Sequence, residues 1–318
     1  MPNYIGVDVG KASLECYIPT TNNVYKVPND NKGFLLLLKY LKNHYKNYKD
    51  FVMVFEPTGG YEKELEKCCF KKGIKFIIVH PNKVRNYAKA TSLLAKTDKL
   101  DCKLISEFAN NFSLQPKQNY KSTAEEKLVS LTKRREQLIL MKNQEICRLE
   151  TEQDNYTKKS INQHISYLEE KIKSVNAHIK VLCKDDKEIK DKMDRLISIP
   201  AVGTVLATSV ICQAPELGNI AFTKLTSLIG LAPFTRDSGK FMGRRSIFAG
   251  RGHLRKVLYM AAVASLRHNP KLKSFYDHLI VNHKPPKVAF VAVMRKLLAF
   301  MHAVIKNNSF WDDNFTIA

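Results

Sequence analysis

The chain has 318 residues, of which 44% are hydrophobic and 26% are charged. This length accommodates two compact domains with a connector, and the composition is typical of a globular protein. Lys and Arg outnumber Asp and Glu by 52 to 30, and the resulting net charge of +22 favours a polyanionic partner, with nucleic acid ahead of an anionic membrane.

Three features that the sequence lacks narrow the class of protein further. The N-terminal stretch "MPNYIGVDVGK" lacks an apolar signal region, and the seven cysteines are scattered without a CxxC pair, so we expect a protein of the reducing cytoplasm. The longest apolar run, "VAFVAVMRKLLAFMHAVI", contains Arg295 and Lys296 and therefore predicts a buried helix instead of a membrane span.

The first part of the chain alternates strand and helix patterns. Three β-rich segments are separated by short turns, which predicts an antiparallel meander. They are followed by a helix, a wholly apolar strand, a helix that ends at Gly73, a second apolar strand, and helices up to about Ala109. The segments predicted as strands are 4–9, 13–18, 22–27, 50–55 and 74–79. This order predicts an α/β domain on a mixed sheet, which we place at residues 1–120.

Residues 121–195 have a different pattern. Gly and Pro disappear, and single apolar residues recur at alternating spacings of four and three, a heptad seam. The seam residues are Ile161, Ile165, Leu168, Ile172, Val175, Ile179 and Leu182. We predict two long helices that form a coiled coil, either as an antiparallel hairpin or between parallel subunits. The alternative is two helices that simply lie on a domain.

Residues 196–318 predict a second compact, helical domain. The stretch "LISIPAVGTVLAT" resembles a helix–hairpin–helix, whose turn offers backbone N–H groups to a phosphate, although Ala201 stands where that motif has Gly.

Four carboxylates occupy unusual positions in the N-terminal domain. Asp8 lies inside an apolar strand and Glu56 closes another, where an unpaired carboxylate is costly. Asp98 and Asp101 are three residues apart and so share one face of a helix. Together these acids can converge on hard divalent cations, two of which can activate a nucleophile in phosphoryl transfer. Taken singly, each acid could also serve a turn, a cap or a helix dipole.

The segment 231–256, "LAPFTRDSGKFMGRRSIFAGRGHLRK", carries seven Lys or Arg and one acid. Ser238 lies in its middle and is either a phosphate contact or a nucleophile. A serine hydroxyl needs a base or a metal for activation, and no Ser/His/Asp triad is evident. The basic residues of this segment are predicted to grip phosphates: Arg236, Lys240, Arg244, Arg245, Arg251, Arg255 and Lys256. Its glycines, Gly250 among them, are expected to let the backbone approach a nucleic-acid strand. Ser246 is interpreted as structural.

Several segments of the sequence together resemble one protein family. "IGVDVGKASLECYI", "FEPTGGYEKEL" and "VHPNKVRNYAKATSLLAKTDKLDCKLISEFA", followed by the serine segment, are similar to the transposases of the one-hundred-and-ten family of insertion sequences. The resemblance implies a RuvC-like domain of the ribonuclease H fold whose acid tetrad is Asp8, Glu56, Asp98 and Asp101. It also implies Mg²⁺ at that tetrad, with Mn²⁺ as a possible substitute.

The same resemblance assigns further properties. It implies that Ser238 attacks DNA and becomes covalently linked to it, that a structured bridge RNA guides recombination of donor and target DNA, and that subunits form dimers and tetramers. The location expected is the bacterial or archaeal cytoplasm at the nucleoid, away from membranes. Two alternatives remain: a metal-dependent nuclease of the Holliday-junction-resolvase type that uses water, and a non-catalytic nucleic-acid-binding coiled-coil protein.

Overall fold

The structure, a computed structural model, describes residues 3–92, 98–114, 116, 122–235 and 245–312, except the side chains at positions 98 and 99. It divides into two compact units, Met1–Tyr120 and Lys121–Ala318, each with its own core.

The first unit is built on a five-stranded mixed sheet. Its strands are β1 (Asn3–Val9), β2 (Ser13–Ile18), β3 (Asn23–Pro28), β4 (Phe51–Phe55) and β5 (Phe76–Ile78), in the spatial order β3-β2-β1-β4-β5. The first three strands form an antiparallel meander, and β4 and β5 run parallel to β1. This confirms the predicted mixed α/β architecture and is consistent with a ribonuclease H-like domain.

Helices cover both faces of this sheet. The alternation of side chains along β1 sends Ile5, Val7 and Val9 to a core shared with α1 (Asn31–Lys42) and α2 (Lys63–Lys71). Tyr4 points to the opposite core, with Val52 and Val54 of β4, under α3 (Pro81–Ala90) and α4 (Asp98–Asn111). The apolar β4 is buried along its whole length because it lies between these two layers.

The second unit begins with two long helices, α5 (Thr123–Thr151) and α6 (Asn155–Asp185). They pack side by side and antiparallel, as shown by the hydrogen bond of 2.7 Å from Arg135 to Asn176 and the ion pair of 3.2 Å between Lys142 and Glu169. Asp154 accepts a hydrogen bond from the Thr157 N–H and so starts α6 directly after the turn. The two helices therefore form a hairpin within one chain.

The remainder of the second unit is a helical bundle with one small β-hairpin. Its elements are α7 (Lys187–Ile197), α8 (Thr204–Gln213), α9 (Phe222–Ile229), β6 (Pro233–Phe234), β7 (Ser246–Ile247), α10 (Gly252–His268), α11 (Pro270–Val281) and α12 (Pro286–Lys306). By length and composition α12 is the one helix of the described residues that could cross a membrane, yet Leu297, Leu298 and Met301 on it are fully buried in the core of the unit. It is the buried helix expected from the sequence.

Candidate functional site

Two of the predicted acids lie at the ends of neighbouring parallel strands. Val7 of β1 is in register with Phe55 of β4, so Asp8 and Glu56 are the next residues along each strand. Asp8 lies two residues after Gly6 and four after Tyr4, and these residues share the sheet face that α4 covers. The sheet register thus brings the first two acids of the proposed tetrad together.

The third acid, Asp101, is carried onto the same region by α4. This helix lies so close to β1 that a Cβ atom at Gly6 would overlap the carbonyl oxygen of Cys102. The Ser106 hydroxyl donates a hydrogen bond of 2.5 Å to the Tyr4 carbonyl and fixes the helix on the strand. Asp98 is the first residue of α4, and its side chain lies outside the described residues.

Cys102 follows Asp101 and fills the contact between α4 and the sheet. Burial raises the pKa of its thiol to about 12; the Lys103 N–H lowers it, whereas the carboxylates of Glu15 and Asp8 raise it further. The thiol is therefore neutral and packs against the strand. The pairing of Asp8 with Glu15 places both residues on the sheet face that α4 covers.

The donor set at this edge suits a hard divalent cation. Asp8, Glu56 and Asp101 supply only carboxylate oxygens, which Mg²⁺ and Mn²⁺ accept. Like charges at neighbouring positions of paired strands destabilise a sheet, and a bound cation would remove that repulsion. Within the described ranges, which omit the Asp98 side chain, no three acids, histidines or cysteines are already gathered in metal-binding geometry.

Glu62 supports the loop after Glu56, and no sequence motif identified it. Its carboxylate accepts hydrogen bonds from the Thr58 N–H (3.0 Å), the Thr58 hydroxyl (3.0 Å) and the Gly60 N–H (2.9 Å). Burial opposes ionisation, but these bonds and that from its own N–H outweigh it and lower the pKa of Glu62. Gly59 and Gly60 have φ of 81° and 132°, so the loop needs glycine at both positions.

The serine segment contains two short strands that pair as a β-hairpin, the serine hairpin. β6 pairs with β7 through Pro233 and Ile247, and Ser238 lies between them in the sequence. Ser238, Arg236, Lys240 and Arg244 lie outside the described residues. Ser246 lies in β7, in register with Phe234, which agrees with a structural interpretation of that serine.

The base of this hairpin is closed by backbone contact. Gly230 and Gly250 have φ of 80° and 72°, and a Cβ atom at either one would overlap backbone of the other strand of the hairpin. In the structure Gly250 lets the two ends of the hairpin approach each other, and its expected role in the approach of nucleic acid stays a prediction.

Two of the arginines predicted to grip phosphates have protein partners in this structure. The Arg255 guanidinium donates to the carbonyls of Ile229 (3.2 Å) and Ala249, on the two sides of the hairpin base. Arg251 forms a bidentate ion pair with Glu216, at 2.7 and 2.8 Å. Arg245 and Lys256, by contrast, are exposed.

His253 links the start of α10 to the helical hairpin. Its Nδ1 atom lies 3.1 Å from the Glu136 carboxylate of α5 and 2.9 Å from the Gln213 amide at the end of α8. These partners come from distant parts of the chain, so no local pattern could have predicted the contact.

The turn between α7 and α8 contains one residue with a positive φ. Ala201 has φ of 76°, a left-handed conformation that favours glycine. Gly203 precedes the first residue of α8 and is exposed, together with Thr204 and Val205. The first N–H groups of α8 are therefore directed to solvent at an exposed helix start.

Two family models match this chain. The model of the DEDD transposase domain of IS110 elements, described as "Transposase", matches residues 5–156, and that described as "Transposase IS116/IS110/IS902 family" matches residues 193–277. The first range contains the four acids and the second contains Ser238.

The chain is similar to two pilin gene-inverting proteins and to a protein of an insertion element. The "Pilin gene-inverting protein" of Moraxella lacunata and that of Moraxella bovis are each 28% identical to this chain, over 97% of both sequences. The "Insertion element IS900 uncharacterized 42 kDa protein" of Mycobacterium paratuberculosis is 27% identical over 39% of this chain and 32% of its own length.

Proposed function

We propose that this chain, which belongs to the IS110 family of transposases, cuts and rejoins DNA strands through a covalent intermediate at Ser238. Family membership makes it a DNA transposase or recombinase. The observation that carries the finer proposal is the coincidence of the two family matches with the two candidate groups, the acid positions and the serine hairpin.

Asp8, Glu56, Asp98 and Asp101 are the proposed metal ligands. A bound Mg²⁺ would supply Lewis acidity that lowers the pKa of a coordinated hydroxyl group. Asp8 and Glu56 would hold it through adjacent register positions, and α4 would add the other two carboxylates. Glu62 fixes the loop that follows Glu56 and so limits the movement of that ligand.

In the proposed reaction Ser238 Oγ forms a bond to phosphorus while the bond from phosphorus to the leaving strand oxygen breaks. The serine proton goes to a base at the site, and the leaving oxygen takes up a proton. Rejoining reverses these steps with a different strand as the incoming group. The ester keeps the phosphodiester energy, which hydrolysis would release. Arg236, Lys240, Arg244, Arg245 and Lys256 would contact phosphates and stabilise developing charge.

Several partners belong to the same proposal. Residues 1–120 would form the RuvC-like domain and hold a guide RNA, residues 121–195 would be the connector that pairs subunits as a coiled coil, and residues 196–318 would be the serine-bearing domain. Donor and target DNA would be recombined by a dimer or tetramer in the cytoplasm, at the nucleoid. The turn at Ala201 would bind a phosphate through the exposed start of α8.

A second outcome of the same chemistry is favoured by the two Moraxella relatives. Their names describe inversion of a gene. Their similarity to this chain spans 97% of this chain and 97% of each relative. We therefore include inversion of a DNA segment between two sites as a product, beside transposition of an insertion element. Both products need the same cut and rejoined strands.

The test is a denaturing gel of labelled junction DNA incubated with the full chain, Mg²⁺ and RNA transcribed from the flanking DNA. We expect a detergent-resistant protein–DNA band that protease removes, formed by the wild type and by Ser246→Ala but by neither Ser238→Ala nor Asp8→Asn. Ser246→Ala is the matched control because it makes the same change in the same hairpin. DNA cleavage without such a band, retained in Ser238→Ala, would instead support the hydrolytic nuclease. Unchanged DNA in every lane, with binding intact, would support the non-catalytic alternative.

A further inference from the structure

The sheet register places a second ion pair directly beside the acid site. Glu15 of β2 lies opposite Asp8 of β1, and Lys26 of β3 lies opposite Glu15. Directly paired residues of neighbouring strands point to the same face. Lys26, Glu15 and Asp8 therefore form one row across the sheet, and Glu56 directly follows Phe55, the β4 residue that pairs with Val7.

This row lies on the face that α4 covers. Cys102 of α4 is completely buried against β1, and both Glu15 and Asp8 act electrostatically on its thiol. Lys103 of the same helix lies 5.8 Å from the ring centre of Tyr17, two residues after Glu15 on β2. Glu15 is thus part of the surroundings of the acid site.

The row places carboxylates of like charge next to each other and a lysine at its end. Glu15 and Asp8 are direct cross-strand partners, and the Cβ atoms of such partners are about 5 Å apart, a spacing at which like charges repel. Lys26 compensates at one end, with its Nζ 2.7 Å from the Glu15 Oε1. The Glu15 side chain is only 12% exposed, whereas that of Lys26 is 63% exposed. Lys26 therefore reaches in from solvent to hold a carboxylate that is itself nearly enclosed.

We infer that Glu15, held by Lys26, is a positioning residue of the metal site that orients water bound beside Asp8. This inference rests on the proposed function. Mg²⁺ retains several of its waters when bound to protein, and partners outside the ligand set fix such waters and the ligands themselves. With one oxygen engaged by Lys26, Glu15 accepts hydrogen bonds from that water through its other oxygen and does not enter the ligand set.

A simpler interpretation is an ordinary cross-strand ion pair. Exposed pairs of this kind contribute little to stability and nothing to metal binding. The chain contains a matched example in the same unit: Lys67 Nζ lies 3.0 Å from Glu64 Oε1 on α2, where the Glu64 side chain is 63% exposed. The two pairs allow a direct comparison.

The experiment is isothermal titration calorimetry of the full-length chain with Mn²⁺. DNA is left out, so that the measured quantity is the affinity for Mn²⁺ and not the activity. The variants are Glu15→Gln, Glu15→Asp, Asp8→Asn and the control Glu64→Gln, each checked for folding by circular dichroism. We expect wild-type affinity for Glu64→Gln, and about 10- to 100-fold weaker binding for Glu15→Gln. Glu15→Asp, which keeps the charge but shortens its reach, should fall between them and remains informative if Glu15→Gln does not fold.

The outcomes separate this inference from the proposed function. Loss of binding in Asp8→Asn together with wild-type affinity in both Glu15 variants would overturn the role of Glu15 and keep the metal site. Wild-type affinity in Asp8→Asn, or no binding by the wild type, would overturn the metal site and the inference with it.

Discussion

Ala201 is a residue whose backbone does not suit its side chain. Its φ of 76° lies in the left-handed region, which costs an L-residue with a Cβ atom about 1–2 kcal/mol. The resemblance to a helix–hairpin–helix identified this position because that motif has Gly there. The structure gives the physical reason, since the turn between α7 and α8 needs a positive φ.

Ala201→Gly should therefore stabilise the protein. Glycine removes the strain but adds about 0.4–1 kcal/mol of unfolded-state entropy, which leaves a net gain of about 0.5–1 kcal/mol in the free energy of unfolding. Urea denaturation measures this gain. Ala177→Gly is the control, because Ala177 is exposed within α6 and the same change there should destabilise by about 0.5–1 kcal/mol. Equal effects of one sign at both positions would contradict the account of the turn.

The hydrogen bonds of Glu62 predict that the free energy of unfolding depends on pH. Its carboxylate is 7% exposed and is bound by Thr58 and Gly60, and its pKa in the folded state is lowered. A lowered carboxyl pKa gives stability that is present above the unfolded value, 4.5, and is lost as the pH falls through the folded value. Glu62→Gln should thus lower the free energy of unfolding by about 1–2 kcal/mol at pH 7.

The loss caused by Glu62→Gln should shrink progressively below pH 4.5. Thermal melts of the two proteins between pH 7 and pH 3.5 measure it. Glu64→Gln is the matched control on the same helix, and its effect should be small at every pH because that side chain is 63% exposed. A difference between wild type and Glu62→Gln that stays constant down to pH 3.5 would show that the carboxylate charge does not hold the loop.

At the scale of elements, the basic residues near the base of the serine hairpin are of two kinds: some bind protein groups and others are exposed to solvent. Arg255 binds two backbone carbonyls of the hairpin base, whereas its neighbour Lys256 is exposed. A side chain that neutralises a phosphate releases counterions, so its loss reduces the dependence of DNA affinity on salt. A side chain that holds the hairpin does not contribute to this dependence.

Arg255→Gln and Lys256→Gln make this difference measurable. We expect Lys256→Gln to reduce the slope of log affinity against log salt by about 1, and Arg255→Gln to leave the slope unchanged while it lowers the melting temperature. DNA binding is measured by fluorescence anisotropy across a salt series. If Arg255→Gln reduced the slope by as much as Lys256→Gln, Arg255 would return to the phosphate contacts predicted from the sequence.

The order of elements in the first unit followed from local sequence pattern. The alternation in β1 to β3, the apolar run of β4 and the glycine at position 73 are short-range signals, and the structure has the predicted strands and helices in that order. The same signals overestimated the length of β5, which was predicted over 74–79 and is observed as Phe76–Ile78. Strand length depends on the pairing partner, which the local sequence does not specify.

Contacts between distant residues could not be predicted in this way. The row from Lys26 to Asp8 needs the register of three strands, and His253 meets Glu136 because α8 packs against both α5 and α10. The protein partners of Arg251 and Arg255 lie 35 and 26 residues away, so the local sequence did not reveal them. Glu62 was missed because most of its hydrogen bonds come from backbone N–H groups, which have no sequence signature.

At the scale of the whole molecule, the positive charge is unevenly distributed. Residues 217–318 contain sixteen Lys or Arg and four Asp or Glu, whereas residues 121–216 contain seventeen and fifteen. Nearly all the excess charge of the second unit therefore lies in the part that carries the serine hairpin and α10. The helical hairpin is almost neutral. This distribution fits DNA binding around Ser238, since association with a polyanion depends on the local excess of positive charge.

The central claim is that Ser238 becomes covalently joined to DNA, and tryptic peptide mapping of the purified protein–DNA adduct tests it most directly. Cleavage after Arg236, Lys240, Arg245 and Arg251 places Ser238 and Ser246 on separate peptides, 237–240 and 246–251. We predict a nucleotide-bearing peptide 237–240 and an unmodified peptide 246–251 in the mass spectrum. A nucleotide on 246–251, or cleaved DNA from which no peptide carries a nucleotide, would contradict the account.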